Sequence, residues 1–412
     1  KARLRAYILQ YLAEDALART ITYAAQDGVL TVPSLSPDKA HLYGISSAYS
    51  ELIEYDGVIN SFYRAILRGE LNYEMAVDFN FWTPGAYLKE EMSQPMKEAI
   101  RILAKRSGIR LSIHGPIFYA MPGVEYNSEI IVQAYKNTVD LAKEIGASSI
   151  VVRVTSEEDI GDLVEIALYG AQQGVEISLE NSRARDGGSY QNAKRFLDVV
   201  KEVTRRVSEE NGNTDFLSQT WDFSHFALCP EVLAARKVSE ETATAELMKI
   251  VNEVLDWTFD ENPDSPRMRL RKIHLSQHEG KADLHNLGVA EEDGIGKVPN
   301  VKAMNMLIER LATEVLAKLE IILETAKVIS KEDLDCLDIN VDTPIRSKVQ
   351  DILAQSAAKA AAEKIRIKAR EAIKASDLPY MDPDKCISLL RVSEKEIEHL
   401  IATATTKGTI AG

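Results

Sequence analysis

The sequence predicts an α/β protein, a closed (β/α)8 barrel with an N-terminal helical segment and an all-helical C-terminal extension. Three observations point there. Between residues 41 and 330, short apolar runs bounded by turn residues alternate with amphipathic stretches, eight times over. Several of those runs stop at a His, Asp, Glu or Arg, which is what a barrel presents at the C-terminal ends of its strands. No Gly-rich phosphate fingerprint follows the first run, as the competing open doubly wound sheet would favour.

Residues 1–40 read as one or two helices ending in the loop TVPSLSPDKA. The expected strands are HLYGISS (41–47), YEMAVDFNF (73–81), RLSIHGP (110–116) and SSIVVRV (148–154). VEISLEN (175–181), a strand within DFLSQTWDFSH (215–225), RLRKIHLSQ (269–277) and AKLEIILET (317–325) complete the eight. Helical stretches such as SEIIVQAYKNTVDLAKEIGA lie between them, apolar at the spacing that buries one face. After residue 330 the pattern changes: SKVQDILAQSAAKAAAEKIRIKAREAIKAS is Ala- and Lys-rich with high helix propensity, VSEKEIEHLIAT follows as a second helix, and the extension is expected to serve packing or homo-oligomerisation. The expected domains are therefore a 1–40 helical segment, a 41–330 barrel and a 331–412 helical extension.

At 412 residues, 45% hydrophobic and 27% charged, the chain is long enough to bury one large barrel core. A net charge of −14 disfavours non-specific nucleic-acid binding. No apolar run approaches the roughly 18–20 residues of a membrane span, so no membrane partner is expected. The N-terminal stretch is amphipathic and interrupted by acidic residues, a poor signal peptide. Cys229, Cys336 and Cys386 are widely spaced with no CxxC pattern, which fits a reducing compartment, and the expected location is cytoplasmic.

Glu180, Asp222, His274 and Glu324 each follow apolar residues, where an unpartnered charge would be costly to bury. Around a shared cation they neutralise one another, and as ligand types they suit Zn²⁺, Mn²⁺, Mg²⁺ or Co²⁺. The competing account is a set of buried ion pairs. His225 lies three residues beyond Asp222, and Asp283 and His285 alternate in ADLHNLG. All three are candidates for a second metal or an outer shell, with a loop cap and an orienting role as the plainer readings of Asp283 and His285. His114 ends its strand as a ligand or a rim residue. Arg153 offers a clamp for phosphate or carboxylate, or an ion pair with a neighbouring acid such as Glu180. Trp82 and Trp221 are candidates to line a sugar pocket, or ordinary rim packing.

The set SIHGP, SLENS, WDFSH, IHLSQHEGKADLHNLG…GIG and IILET resembles the xylose-isomerase-like TIM barrel superfamily. That group includes sugar isomerases and epimerases and the endonuclease IV type of apurinic-site nuclease (AP endonuclease family 2). The resemblance spans about residues 41–330 and is more specific for the superfamily than for one activity. In the isomerase branch it implies one metal held by Glu180, Asp222, His274 and Glu324. The two glutamates would move protons next to a carbonyl, and His225 would bind a substrate hydroxyl. In the endonuclease branch it implies a zinc cluster on His114, Glu180, Asp222, His225, His274, Asp283, His285 and Glu324, plus a fourth-strand histidine. Here that last position is Arg153, which offers no lone pair. This departure favours a sugar or sugar-phosphate isomerase or epimerase over a DNA-cleaving hydrolase, for which DNA would be the partner. A barrel kept for binding alone is the third expectation.

Overall fold

The structure is a computed structural model. It describes residues 2–33, 35, 40–46, 58–76, 92–116, 128–155, 160–182, 193–259, 269–277, 298–324, 331–350 and 352. Eight parallel strands close in sequence order, with β1 paired to both β2 and β8. They are β1 His41–Ser46, β2 Glu70–Ala76, β3 Arg110–His114, β4 Ser149–Val154, β5 Glu176–Asn181, β6 Leu217–Asp222, β7 Arg269–Leu275 and β8 Glu320–Leu323. This is the expected (β/α)8 barrel.

Helices α1 Ala2–Gln26, α2 Val58–Arg68, α3 Gln94–Ser107, α4 Ser128–Ile145, α5 Ile160–Gln173 and α6 Ala193–Asn211 precede β6. After it come α7 Phe223–Ala227, α8 Pro230–Arg236 and α9 Glu240–Phe259, then α10 Asn300–Arg310, α11 Thr313–Leu316 and α12 Lys331–Leu337. The helix-to-strand turns are short because glycine ends them. Gly108 adopts φ 83° and donates its N–H to Ala104, a left-handed stop that turns the chain directly into β3.

Strand residues that face the helices are apolar, as at Ile113, Val152, Leu179, Ile273 and Ile321, all buried. Their neighbours face the barrel axis, and these are polar to an unusual degree. Glu74, Ser112, Ser178, Thr220, Lys272 and Glu320 fill the interior where branched apolar residues dominate in most barrels.

The start of β2 differs from expectation, while β6 lies inside the expected 215–225 segment. Strand β2 begins at Glu70, three residues before the expected start, because the Gly69 turn leads straight into it. The expected β6 stops at Asp222, and FSHFA starts a short helix capped by that aspartate. The start of the C-terminal extension packs onto the barrel, one of the two roles expected of it. Leu337, Val341, Ile345 and Val349 join the main core. A π-helical turn, Asp338–Asp342, brings the Asp342 carboxylate 2.7 Å from the Leu42 N–H in β1. The remainder of the extension, including VSEKEIEHLIAT, lies outside the described residues.

Candidate functional site

Period-two alternation carries His114 (β3), Arg153 (β4), Glu180 (β5), Asp222 (β6) and His274 (β7) to the C-terminal mouth, with Glu324 one residue beyond β8. All are buried, and Glu180, Asp222, His274 and Glu324 have no exposed surface. His114, Glu180, His274 and Glu324 bring donor atoms within 4.8 Å of one another, as do Glu180, Asp222 and His225. Glu180 thus belongs to both groups. Asp222, expected beside His274 and Glu324, lies in the second group, and His114 takes a place in the first.

His274 is surrounded by carboxylates. Its Nδ1 is 2.7 Å from Glu180 Oε1 and 3.1 Å from Glu324 Oε1, while Nε2 is 3.2 Å from Glu74 Oε1. Burial alone would lower its pKa, but Glu324, Glu74 and Glu180 together raise it well above the usual histidine value. For Glu180, burial favours the neutral acid. The Arg153 guanidinium and the two imidazoles overcome this and hold the carboxyl well below the ordinary range.

Arg153 Nε lies 2.9 Å from Glu180 Oε2 in an ion pair, and its terminal nitrogen is 3.4 Å from His114 Nε2. The ion pair with Glu180 is therefore formed, and only 6% of the residue is exposed. His114 Nδ1 faces the Gly115 carbonyl at 2.8 Å, so that nitrogen carries the proton. Gly115 must be glycine. A Cβ there would lie 2.5 Å from the Tyr135 ring and 2.6 Å from the Val151 carbonyl oxygen.

Asp222 has two roles. Oδ1 caps α7 by accepting from the Ser224 N–H and hydroxyl, each at 2.7 Å, and from the His225 N–H at 3.2 Å. Oδ2 accepts no hydrogen bond among the described residues. His225 donates from Nδ1 to the Asn181 carbonyl at 2.6 Å, so the lone pair on Nε2 turns toward Asp222 Oδ2, 3.4 Å away. Asn181 fixes this strand end by exchanging bonds of 2.8 and 2.9 Å with the Asp222 backbone.

Two acceptors facing each other at 3.4 Å are what a cation would satisfy. Charge gives the same answer. Four carboxylates (Glu74, Glu180, Asp222, Glu324) meet two permanent cations (Arg153, Lys272), leaving two negative charges for a divalent ion or protonated histidine to balance. The donor set of the site therefore fits a divalent metal.

Glu74 and Lys272 belong to the site without having been singled out in the sequence. Lys272 Nζ lies 2.5 Å from Glu74 Oε2 and 2.6 Å from the Ser112 hydroxyl, fully buried below the mouth. The available signal was alternation, since Lys272 is two residues before His274 and Glu74 stands between Tyr73 and Met75.

Trp221 corrects the expectation of a pocket wall. It is fully buried facing the helices, edge-on to Phe226, with its N–H on Gln219 at 3.0 Å. Its neighbours Thr220 and Asp222 face the axis, so alternation turns it outward. Trp82, Asp283 and His285 lie outside the described residues. Cys229 is buried with its thiol pushed up to about 12 by burial, which makes it a poor nucleophile.

No family model matches the sequence, and no curated protein does. Among solved structures, the chain is similar to a D-tagatose 3-epimerase-like protein, at 14% identity and TM-score 0.49, covering 75% of this chain and 99% of that one. It is also similar to endonuclease IV from Thermus thermophilus, at 16% identity and TM-score 0.46, covering 75% and 99%. A D-allulose 3-epimerase from Methylomonas sp. matches at 13% identity and TM-score 0.43, covering 79% and 99%. At these scores the likenesses add nothing to the barrel topology that the strand register already defines. Among the described residues, no helix is long and apolar enough to cross a membrane.

Proposed function

We propose that the chain is a divalent-metal-dependent isomerase or epimerase that moves a proton next to a carbonyl of a sugar or sugar phosphate. The observation that carries this reading is the meeting of Glu180 and Glu324 at His274 Nδ1, at 2.7 and 3.1 Å. The two carboxylates come from β5 and the end of β8, three strands apart, so they can approach a substrate from different sides.

Glu180, His274 and Glu324 would hold the ion, with Asp222 Oδ2 as the further acceptor, while His114 Nε2 is engaged with Arg153. An ion there would act as a Lewis acid toward the carbonyl oxygen. Glu180, kept ionised, is able to accept a proton at Oε1. Glu324 would return or accept one. His225 Nε2 faces the same space and would take a hydrogen bond from a substrate hydroxyl. Arg153, with so little exposed surface, serves Glu180 better than it would serve a substrate anion.

The test is deuterium wash-in at carbon, with the protein loaded in turn with Mn²⁺, Co²⁺, Mg²⁺ and Zn²⁺ and offered a panel of ketoses and their phosphates. Exchange in the parent and its loss by about 10²–10⁴-fold in Glu180→Gln and in Glu324→Gln is the expected outcome. No exchange with any pair would end this reading.

A second reading, a zinc hydrolase acting at apurinic sites in DNA, is favoured by the separate Glu180, Asp222 and His225 group. Two or more zinc ions per chain together with cleavage of an abasic-site oligonucleotide would establish it in place of the first.

A further inference from the structure

We propose that Glu74 is a positioning residue. It accepts the Nε2 proton of His274 and so turns the Nδ1 lone pair toward Glu180 and Glu324, the place where the ion would sit. This inference rests on the metal reading above and concerns how this chain prepares the site.

The three histidines at the mouth differ in what holds them. A neutral imidazole has one N–H and one lone pair, and the partner of one nitrogen decides what the other offers. His114 and His225 each present Nδ1 to a backbone carbonyl, Gly115 at 2.8 Å and Asn181 at 2.6 Å. A carbonyl only accepts, so in both rings Nε2 carries the lone pair. His274 has no such carbonyl contact among the described residues. Its outer nitrogen, Nε2, is instead 3.3 Å from Glu74 Oε2 and 3.2 Å from Oε1. With an ion shared by Nδ1, Glu180 and Glu324, Nδ1 would carry no proton and Nε2 would donate to Glu74; without the ion Nδ1, 2.7 and 3.1 Å from those two carboxylates, is itself a donor. A ring donating outward to a carboxylate is the arrangement that fixes and strengthens a metal-binding histidine.

Lys272 secures Glu74. Its ammonium is 2.5 Å from Glu74 Oε2, 2.6 Å from Ser112 Oγ and 3.7 Å from Glu320 Oε2, all inside the barrel. Stability alone gives little reason for such a pair, since apolar residues of equal volume serve a core as well or better. Lys272 precedes His274 by two residues on one strand, so one backbone sets both the histidine and the cation that holds its orienting carboxylate.

Removing Glu74 alone would strand Lys272, so the decisive variant is the double change Glu74→Leu with Lys272→Met, which removes both the acceptor and the cation. It should fold, and should bind Co²⁺ about 10–100-fold more weakly than the parent, with shifted visible absorption bands. A folded double variant with parental cobalt affinity and spectrum would show that Glu74 is only the counter-ion of Lys272, overturning the proposal. The second measurement needs no substitution. In zinc-loaded parent protein, long-range ¹H–¹⁵N correlations of the seven histidines should show His274 protonated at Nε2. Protonation at Nδ1 would also overturn the proposal. If the parent binds neither cobalt nor zinc, the metal reading itself fails and this inference falls with it, a result distinct from both others.

Discussion

Asp222 shows how much one side chain can be asked to do. Oδ1 caps α7 while Oδ2 faces His225, so substitutions should separate the two tasks. Asp222→Asn keeps an acceptor for the cap, and its stability is expected within about 0.5 kcal/mol of the parent while metal binding falls. Asp222→Ala loses both, and denaturant unfolding should show a deficit of about 1–2 kcal/mol. Glu70 makes a pH-dependent prediction away from the site. It is buried, and burial pushes its carboxyl up to about 7 against the opposing pull of Arg68. A raised acid binds its proton more tightly in the folded state, so the cost of the buried charge is absent below about pH 4 and complete above about pH 7. Glu70→Gln should therefore be more stable than the parent at pH 8, by about 1–3 kcal/mol, with the gap closing by about pH 4.5. At this scale the mouth residues could be read in the sequence because each ends an apolar run. The pairing of Glu74 with Lys272 could not, because it joins β2 to β7 across the barrel, 198 residues apart.

The helix stops and the strand ends were legible as elements, although their exact limits were less so. Gly108 is the element-scale test. Its φ of 83° is strained for any residue with a Cβ, although the space around it is open. Gly108→Ala is expected to cost about 1 kcal/mol by calorimetry without changing the site, since backbone strain is the whole of the effect. The early start of β2 was hidden in the sequence because Glu70 and Asn72, both polar, face a polar interior. Alternation of apolar and polar residues normally separates core from solvent, and here it separates helix-facing from axis-facing. Trp221 was misplaced for the same reason.

At the scale of the whole molecule, the strands of the barrel end before residue 330, but its core does not. The segment after it supplies four residues to the core and an acceptor to β1. Ending the chain at residue 330 should therefore remove on the order of 5–10 kcal/mol of burial, and the product is expected to be insoluble or to melt more than about 10 °C lower in a thermal scan. Asp342→Ala, which strands the buried Leu42 N–H and removes the carboxylate partner of Arg346, should cost about 1–3 kcal/mol. The repeat of strand and helix announced the barrel itself. This closure was hidden because the acidic, sparsely apolar stretch at 331–349 carries no mark of what it will cover.

The bond from Leu42 to Asp342 also governs the order of events on the ribosome. The two residues are 300 apart in sequence. At about 5–20 residues per second, roughly 15–60 s pass between the synthesis of the donor and of its acceptor. β8, the second neighbour of β1, appears only shortly before. For that interval the first strand is a nascent edge with one side unpaired, open to association with other growing chains. The need for a chaperone is therefore expected to last from the synthesis of β1 until β8 and Asp342 emerge late in translation.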